Sequence, residues 1–130
     1  MHDITDTYAM GDTPELADEL LALVLAGKKT AACDSLQLMQ QDNIPMPVTG
    51  DKYMLLDGRQ RPAAVIEITD VFLCRFDEVD EDFARAEGEG DLSYAYWRQG
   101  HKDYFTRNGG YSPDMTLVCE RFRLLEILDR

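Results

Sequence analysis

Hydrophobic side chains near the N-terminus recur every three or four residues, which is the spacing of one face of a helix. Thr13 and Pro14 are typical of an N-cap and a first helical position, and Gly27 is typical of a helix end. The pattern therefore predicts a helix that ends at Gly27. Its apolar face comprises Leu16, Leu20, Leu23 and Val24.

Runs rich in β-branched and aromatic residues predict strands along the rest of the chain. Residues 43–51 contain two prolines and a glycine and are expected to form a loop. Asp57 and Gly58 indicate a turn between the second and third of these runs. The predicted strands are residues 30–33, 53–56, 63–72 and 115–125.

Three more helices are expected between the predicted strands. Asp34 or Ser35 caps a short helix that ends near Gln41. The two longer helices are predicted over residues 80–87 and about 92–108. Helices that lie before and between a set of strands indicate the α+β class, with a curved sheet or a small barrel.

Length and composition fit one domain with its own core. The chain has 130 residues, of which 45% are hydrophobic, so it can bury a substantial core. No linker composition interrupts the sequence. We therefore expect a single domain over residues 1–130.

The net charge of the chain and its lack of recognisable targeting signals limit the classes of partner and the cell compartment that we expect. Thirteen basic and 25 acidic residues give a net charge of −12, which argues against non-specific binding to duplex DNA and against an anionic membrane. No apolar run reaches the roughly 18 residues of a membrane span, and the N-terminus does not resemble a signal peptide. Three widely spaced cysteines are expected to be reduced thiols, so the sequence predicts a cytoplasmic protein.

Two lysines follow the first predicted helix. Lys28 is expected to stabilise the helix end, where the backbone dipole favours a cation. Lys29 adjoins small residues and is a candidate catalytic group, because desolvation can lower a lysine's pKa until it acts as base or nucleophile. The alternative for Lys29 is a solvated surface lysine.

Glu87 ends a predicted helix among small residues and is a second candidate. Gly88 and Gly90 follow it, and glycines allow the backbone to approach a ligand closely. The alternative is an ordinary glycine cap followed by solvated acids. A buried Glu87 would need a partner, and Lys29 is one possibility.

Aromatic residues crowd the helix that follows Glu87. Trp97, His101 and Phe105 recur at four-residue spacing. This stripe indicates either core packing around one satisfied histidine or a stacking surface for a nucleobase. Tyr96 and Arg98 lie on the same helix, so part of its aromatic surface is expected to be exposed.

Glu120 interrupts the apolar pattern of the last predicted strand. If Val118 and Phe122 face the core, Glu120 faces it too, and its carboxylate needs a partner such as Lys29. In the alternative register Cys119 points inward and Glu120 points away from the core.

Three segments, GKKTAAC, FDEVDEDFARAEGEGDLSYAYWRQGHKDYF and MTLVCERFRLLE, together resemble the ASCH-domain family, which is related to the PUA domains. The resemblance extends over about residues 15–126. GKKTAAC is similar to the family motif GxKxxT, with Gly27 and Lys29 in place and Ala32 where the family has threonine. Thr30 is two residues early, which puts it on the other side of a strand.

The resemblance implies a six-stranded PUA-like β-barrel flanked by helices, with a cleft beside the lysine motif for RNA or a nucleoside-like small molecule. Family members include an amidohydrolase acting on N4-acetylated cytidine, and ribonucleases assisted by a divalent metal. Matching the amidohydrolase motif implies that Lys29 and Glu87 are catalytic. The residues expected to bind the substrate are Thr30, Ser35, Tyr96, Trp97, Arg98, His101 and Glu120.

Three functions are compatible with these residues. A hydrolase of a modified nucleoside suits the net charge of −12, because its substrate is small and nearly neutral. A ribonuclease or RNA-binding module is the second, and it would use Mg²⁺ or Mn²⁺ to offset the acidic surface. Otherwise the sequence requires no cofactor and assigns no metal ligand. A non-catalytic nucleotide sensor is the third, favoured by Ala32 in place of the motif's hydroxyl nucleophile.

Overall fold

The computed structural model describes residues 2–129, and its elements alternate between helices and strands as the α+β prediction requires. None of the described helices is both long and apolar enough to cross a membrane. The elements are β1 (Asp6–Tyr8), α1 (Pro14–Leu25), β2 (Ala31–Ser35), α2 (Leu36–Gln41), β3 (Lys52–Leu56), β4 (Pro62–Arg75), α3 (Glu81–Glu87), α4 (Tyr94–Asn108) and β5 (Thr116–Ile127).

The strands form one curled sheet in the order β1-β3-β4-β5-β2. β1 runs parallel to β3, and the other neighbouring pairs are antiparallel. The pairing of β4 with β5 shifts register between Val65 and Ile66 and again between Ile68 and Asp70. Such irregularities bend a strand and increase its twist, so the sheet curves into a half-barrel.

The expected six-stranded barrel has five strands within residues 2–129. The difference follows from the lengths of β4 and β5, which contain 14 and 12 residues. The first half of β4 lies between β3 and β5, whereas its second half pairs with β5 alone. Beyond Ile68 this edge of β4 pairs with no other strand in residues 2–129, so the sheet stays open there and forms no sixth strand. β1 has only three residues, too few to show strand alternation in the sequence.

Two hydrophobic clusters cover the sheet. α1 buries Leu20, Leu21 and Val24 in the first cluster, whereas Leu16 and Leu23, also expected on that face, are only partly buried. The second cluster joins α3 and α4 to β2 and the first half of β5. Its large members are Phe76, Phe83, Trp97, Phe105 and Leu117.

Side-chain caps set the starts of the helices. The hydroxyl of Thr13 accepts a hydrogen bond from the backbone nitrogen of Leu16 at 3.1 Å, as the sequence predicts. Ser35, Asp80 and Ser93 cap α2, α3 and α4 in the same way.

Gly88 fixes the position of the end of α3. It has a left-handed backbone with φ of 72°, and a Cβ there would lie 2.2 Å from the carbonyl oxygen of Lys28. The backbone nitrogen of Thr30 also donates to the carbonyl oxygen of Ala86 at 2.7 Å. The last turn of α3 is therefore held directly against the segment that enters β2, and Glu87 comes next to Lys29.

We expect Gly88→Ala to lower the free energy of unfolding by about 3 kcal/mol, because it adds a backbone clash to left-handed strain. Gly27→Ala is the matched control, since Gly27 has a φ of 76° and nothing lies within 4 Å of an added Cβ. Its cost should be about 1 kcal/mol. Urea denaturation of both variants measures the difference, and equal losses would mean that the Gly88 contact is unimportant.

Candidate functional site

Lys29 lies between the start of β2 and the end of α3, and only 3% of its surface is exposed. Its Nζ lies 3.1 Å from Oε1 of Glu87 and 3.2 Å from Oε2 of Glu89. It also donates to the backbone carbonyl of Glu87 at 3.3 Å. The ammonium group therefore has two carboxylates and one carbonyl as acceptors.

The carboxylate of Glu87 is the centre of the site and is 1% exposed. Its Oε2 accepts a hydrogen bond from the indole nitrogen of Trp97 and lies 3.2 Å from Nε2 of His101. The thiol of Cys33 donates to the same oxygen at 3.4 Å. Both carboxylate oxygens thus have partners, which a buried charge requires.

α4 supplies Trp97 and His101 from successive turns of one face. Their rings stack with centroids 4.5 Å apart, and Tyr94 stacks on Trp97 at 5.9 Å. Nδ1 of His101 lies 2.9 Å from the carbonyl oxygen of Trp97. Each ring nitrogen of His101 therefore faces an acceptor, an arrangement that favours the doubly protonated imidazolium.

The pKa values of the three central groups agree with this charge assignment. Burial alone would lower the pKa of Lys29, but the charges of Glu87 and Glu89 outweigh it and raise that pKa. Burial likewise opposes the protonation of His101, and the Glu87 carboxylate raises the pKa of its ring above 6.5. Burial would raise the pKa of Glu87, but His101 and Lys29 hold it below 4.5.

Lys29 is therefore an ammonium in this structure. The sequence-based hypothesis of a lysine with a lowered pKa is not met here, because two acids surround the amine. An ammonium can donate hydrogen bonds to a carbonyl or a phosphate, but it cannot accept a proton.

The remaining predicted residues lie in different places. Thr30 is exposed, and its hydroxyl donates to the carbonyl oxygen of Ala86 at 3.3 Å. Ser35 is buried as the cap of α2, and its hydroxyl accepts a hydrogen bond from Leu38. Tyr96 and Arg98 are exposed on α4, with the Tyr96 ring lying over Gly90. Trp97 is 2% exposed and belongs to the core rather than to an open stacking wall.

Glu120 faces the other side of the sheet. It pairs with Ala32 in the β2–β5 ladder, next to Cys119, which packs in the second cluster. The two alternatives do not exclude each other here, because both faces of β5 are covered: Cys119 packs in the second cluster, and Phe122, on the face of Glu120, packs in the first. Burial and the charge of Asp34 raise the pKa of Glu120 to about 7. In residues 2–129 the ion-pair partners of Lys29 are Glu87 and Glu89, not Glu120.

Sequence reasoning missed Glu89 as a member of the site, and it gave Cys33 no role. The flanking Gly88 and Gly90, both with positive φ, were the available signal for Glu89. For Cys33 the signal was strand alternation, which places Ala31 and Cys33 on the same side of β2.

Access to Lys29 is restricted. Two surface cavities lie away from it, one beside Phe83 and Arg121 and the other beside Ser35 and Gln37. The more exposed side chains around the charged cluster are those of Glu89, at 24%, and His101, at 14%. Of the two carboxylates that hold the ammonium of Lys29, that of Glu89 is the more exposed.

The described residues contain one group of three side chains with metal-binding atoms close together, namely Cys33, Glu87 and His101. Mg²⁺ and Mn²⁺ prefer sets of oxygen ligands. A thiol, an imidazole and one carboxylate oxygen do not fit the metal expected for a ribonuclease.

The charge on His101 should make stability depend on pH. The pKa of His101 is higher in the folded protein than the value of about 6.5 in the unfolded chain, so protonation stabilises the fold. This stabilisation is fully present at a pH below 6.5, and it is lost as the pH rises through the pKa of the folded state. The free energy of unfolding of wild type should exceed that of His101→Gln by about 3 kcal/mol near pH 6, and this difference should shrink at higher pH.

Urea denaturation across pH measures this difference. His2→Gln is the matched control, because His2 lies at the surface beside Glu126 and should give a small difference. A difference for His101→Gln that grew with pH would contradict the charge assignment.

Comparison with known proteins identifies the family. The family model described as the ASCH domain matches residues 6–126. A protein of Enterococcus faecalis V583 is 32% identical, and the match covers 98% of this chain and 80% of that chain with a TM-score of 0.86. The ASCH domain from Lactobacillus crispatus JV V101 is also 32% identical, with 92% and 79% covered and a TM-score of 0.84.

A more distant structure, ASCH from Zymomonas mobilis, is 12% identical and shares the fold, with 95% and 71% covered and a TM-score of 0.59. No curated protein matches the sequence. The family match, the curled sheet with flanking helices and the two structures at 32% identity agree. The chain belongs to the ASCH-domain family.

Proposed function

We propose that this ASCH-domain protein is a hydrolase that cleaves the amide of a modified nucleoside of the N4-acylcytidine type. The observation that carries the proposal is the buried cluster of Lys29, Glu87 and His101, joined by contacts of 3.1 and 3.2 Å. A buried ionic network contributes less stability than well-packed apolar residues of the same volume. Such networks with shifted pKa values are concentrated at functional sites.

The net charge favours a small substrate. A charge of −12 repels a long polyanion, whereas a nucleoside is nearly neutral. Only small parts of Glu89 and His101 are exposed, which suits contact with one base better than contact with a folded RNA.

The geometry supports a direct attack by water. When the acyl carbonyl takes the place of the Glu89 carboxylate, Lys29 donates to its oxygen and stabilises the oxyanion that forms. The displaced Glu89 accepts a proton from the attacking water. The carbon–nitrogen bond then breaks, and His101 gives its Nε2 proton to the leaving amine. Glu87 acts as a positioning residue, because it holds both donors charged and in place.

A nucleotide sensor is the second candidate. Ala32 occupies the position of the motif threonine, and the partners of Lys29 in residues 2–129 are carboxylates and a carbonyl rather than a hydroxyl. A site without a nucleophilic side chain can bind the same ligand without turnover.

Lys29→Ala should abolish hydrolysis of N4-acylated cytidines, because it removes the donor to the oxyanion. Lys28→Ala is the matched control, since Lys28 is the exposed neighbour and should retain activity. The assay compares wild type and both variants on N4-acylated cytidines and on short single-stranded RNA, each with EDTA or Mn²⁺. Circular dichroism checks that each variant is folded.

Each result assigns a different function. Nucleoside hydrolysis that resists EDTA and disappears in Lys29→Ala supports the proposal. Mn²⁺-dependent cleavage of RNA would show that the protein is a ribonuclease instead. Ligand binding without turnover, insensitive to salt, would make the protein a sensor, because RNA binding weakens steeply with salt.

Glu89→Gln should separate binding from turnover. Without the carboxylate the ligand no longer competes with an ion pair, so its Kd should fall about tenfold, equivalent to about 1.4 kcal/mol. The rate constant kcat should fall about 100-fold or more, because the general base is lost.

Glu81→Gln is the matched control for this variant, since Glu81 is an exposed acid in the first turn of α3. Calorimetric binding of a non-hydrolysable N4-acylcytidine analogue that keeps the carbonyl supplies the Kd, and steady-state kinetics with an N4-acylated cytidine supply kcat. Weaker binding by Glu89→Gln would show that Glu89 contacts the ligand rather than occupying its place.

A further inference from the structure

The side chains of Cys33, Glu87 and His101 meet at one point in the fold. One ligand atom from each lies within 4.8 Å of the other two. The thiol sulfur is 3.4 Å and the imidazole Nε2 is 3.2 Å from the same oxygen, Oε2 of Glu87. We infer that these three residues form a binding site for Zn²⁺ or a chemically similar divalent ion.

The spacing suits tetrahedral coordination. Bonds of about 2.0–2.3 Å from zinc to nitrogen, oxygen and sulfur place neighbouring ligands about 3.3–3.8 Å apart. The two distances to Oε2 of Glu87, 3.4 and 3.2 Å, are already close to that range. The thiol sulfur and the imidazole Nε2 lie at most 4.8 Å apart, so coordination of one ion requires them to approach by no more than about 1 Å.

The neighbours of the three residues are those of a metal ligand set. Nδ1 of His101 is held by the carbonyl oxygen of Trp97 at 2.9 Å, which leaves Nε2 as the coordinating atom. The indole of Trp97 donates to Oε2 of Glu87, and Lys29 holds Oε1 at 3.1 Å. Outer partners of this kind fix the tautomer of a ligating histidine and the orientation of a ligating carboxylate.

Charge balance allows the ion to enter this buried position. Coordination replaces the Nε2 proton of His101 and the thiol proton of Cys33 by one divalent cation, so the net charge of the cluster is unchanged. Lys29 keeps its partner Glu89 throughout. The two protons pass to solvent, and no oxidation or reduction is involved.

The donor set selects the metal. Thiolate and imidazole ligands favour zinc and the later first-row ions, whereas Mg²⁺ and Ca²⁺ require oxygen ligands. The site shares Glu87 and His101 with the proposed hydrolase but is inferred from their geometry alone. A bound ion would occupy the proton donor of the proposed reaction, so Zn²⁺ should inhibit metal-free hydrolysis.

Titration of the purified chain with Co²⁺ and Zn²⁺ tests the site. We expect one ion per chain, a thiolate-to-cobalt charge-transfer band, and release of two protons in calorimetry with buffers of different ionisation enthalpy. Cys33→Ala and His101→Gln should each weaken binding about 100-fold or more, beyond the loss typical for an outer partner. Mg²⁺ should not compete.

Two matched variants serve as controls. Cys74→Ala changes another partly buried thiol, and His2→Gln changes the other histidine of the chain. Both should bind as wild type does. If Cys33→Ala fails to fold, Cys33→Ser, which keeps the side-chain volume, should still lose the charge-transfer band.

Absence of stoichiometric binding by wild type would overturn the inference, as would an equal loss in the control variants. Neither result depends on catalysis. If the protein binds zinc but hydrolyses no nucleoside, the metal site stands and the proposed function is wrong. If it hydrolyses the nucleoside but binds no zinc, the proposed function stands and the metal site is wrong.

Discussion

The ionised carboxylate of Glu87, closed off from water, is the constraint on which the arrangement of this molecule depends. A buried charge must be paired and hydrogen-bonded, and the partners of Glu87 come from separate parts of the chain. Lys29 comes from the entry to β2, and Trp97 and His101 come from α4. Satisfying one carboxylate therefore fixes the positions of two helices relative to the sheet.

The same constraint explains why Gly88 follows Glu87. The residue after Glu87 lies directly against the backbone carbonyl of Lys28, where a side chain has no room. The backbone there is also left-handed, a conformation that favours glycine. The second hydrophobic cluster closes over this junction through Phe83 and Trp97. Packing and electrostatics thus depend on each other, because the apolar residues that exclude water are also those that make the ion pairs strong.

The sequence predicted the helices through their caps and periodicity, and the family motifs pointed to Lys29 and Glu87. It did not predict that His101 joins Glu87, because a helical stripe of aromatic residues is usual in a core as well as at a site. The sequence also did not predict the short β1 or the number of five strands. The curvature of the sheet depends on register shifts between β4 and β5, which are distant in sequence. Glu89 was missed because its role depends on the left-handed glycines beside it rather than on its own position in a pattern.

The most direct test of the central claim is an NMR titration of the side-chain carboxyl carbon of Glu87 in the folded protein, assigned with a Glu87→Gln variant. The charges of His101 and Lys29 should outweigh burial and keep the Glu87 pKa below its ordinary value of 4.5, so its resonance should remain that of a carboxylate when exposed glutamates are half protonated. A pKa above 4.5 would show that burial prevails and would contradict the charged cluster on which the proposed function rests.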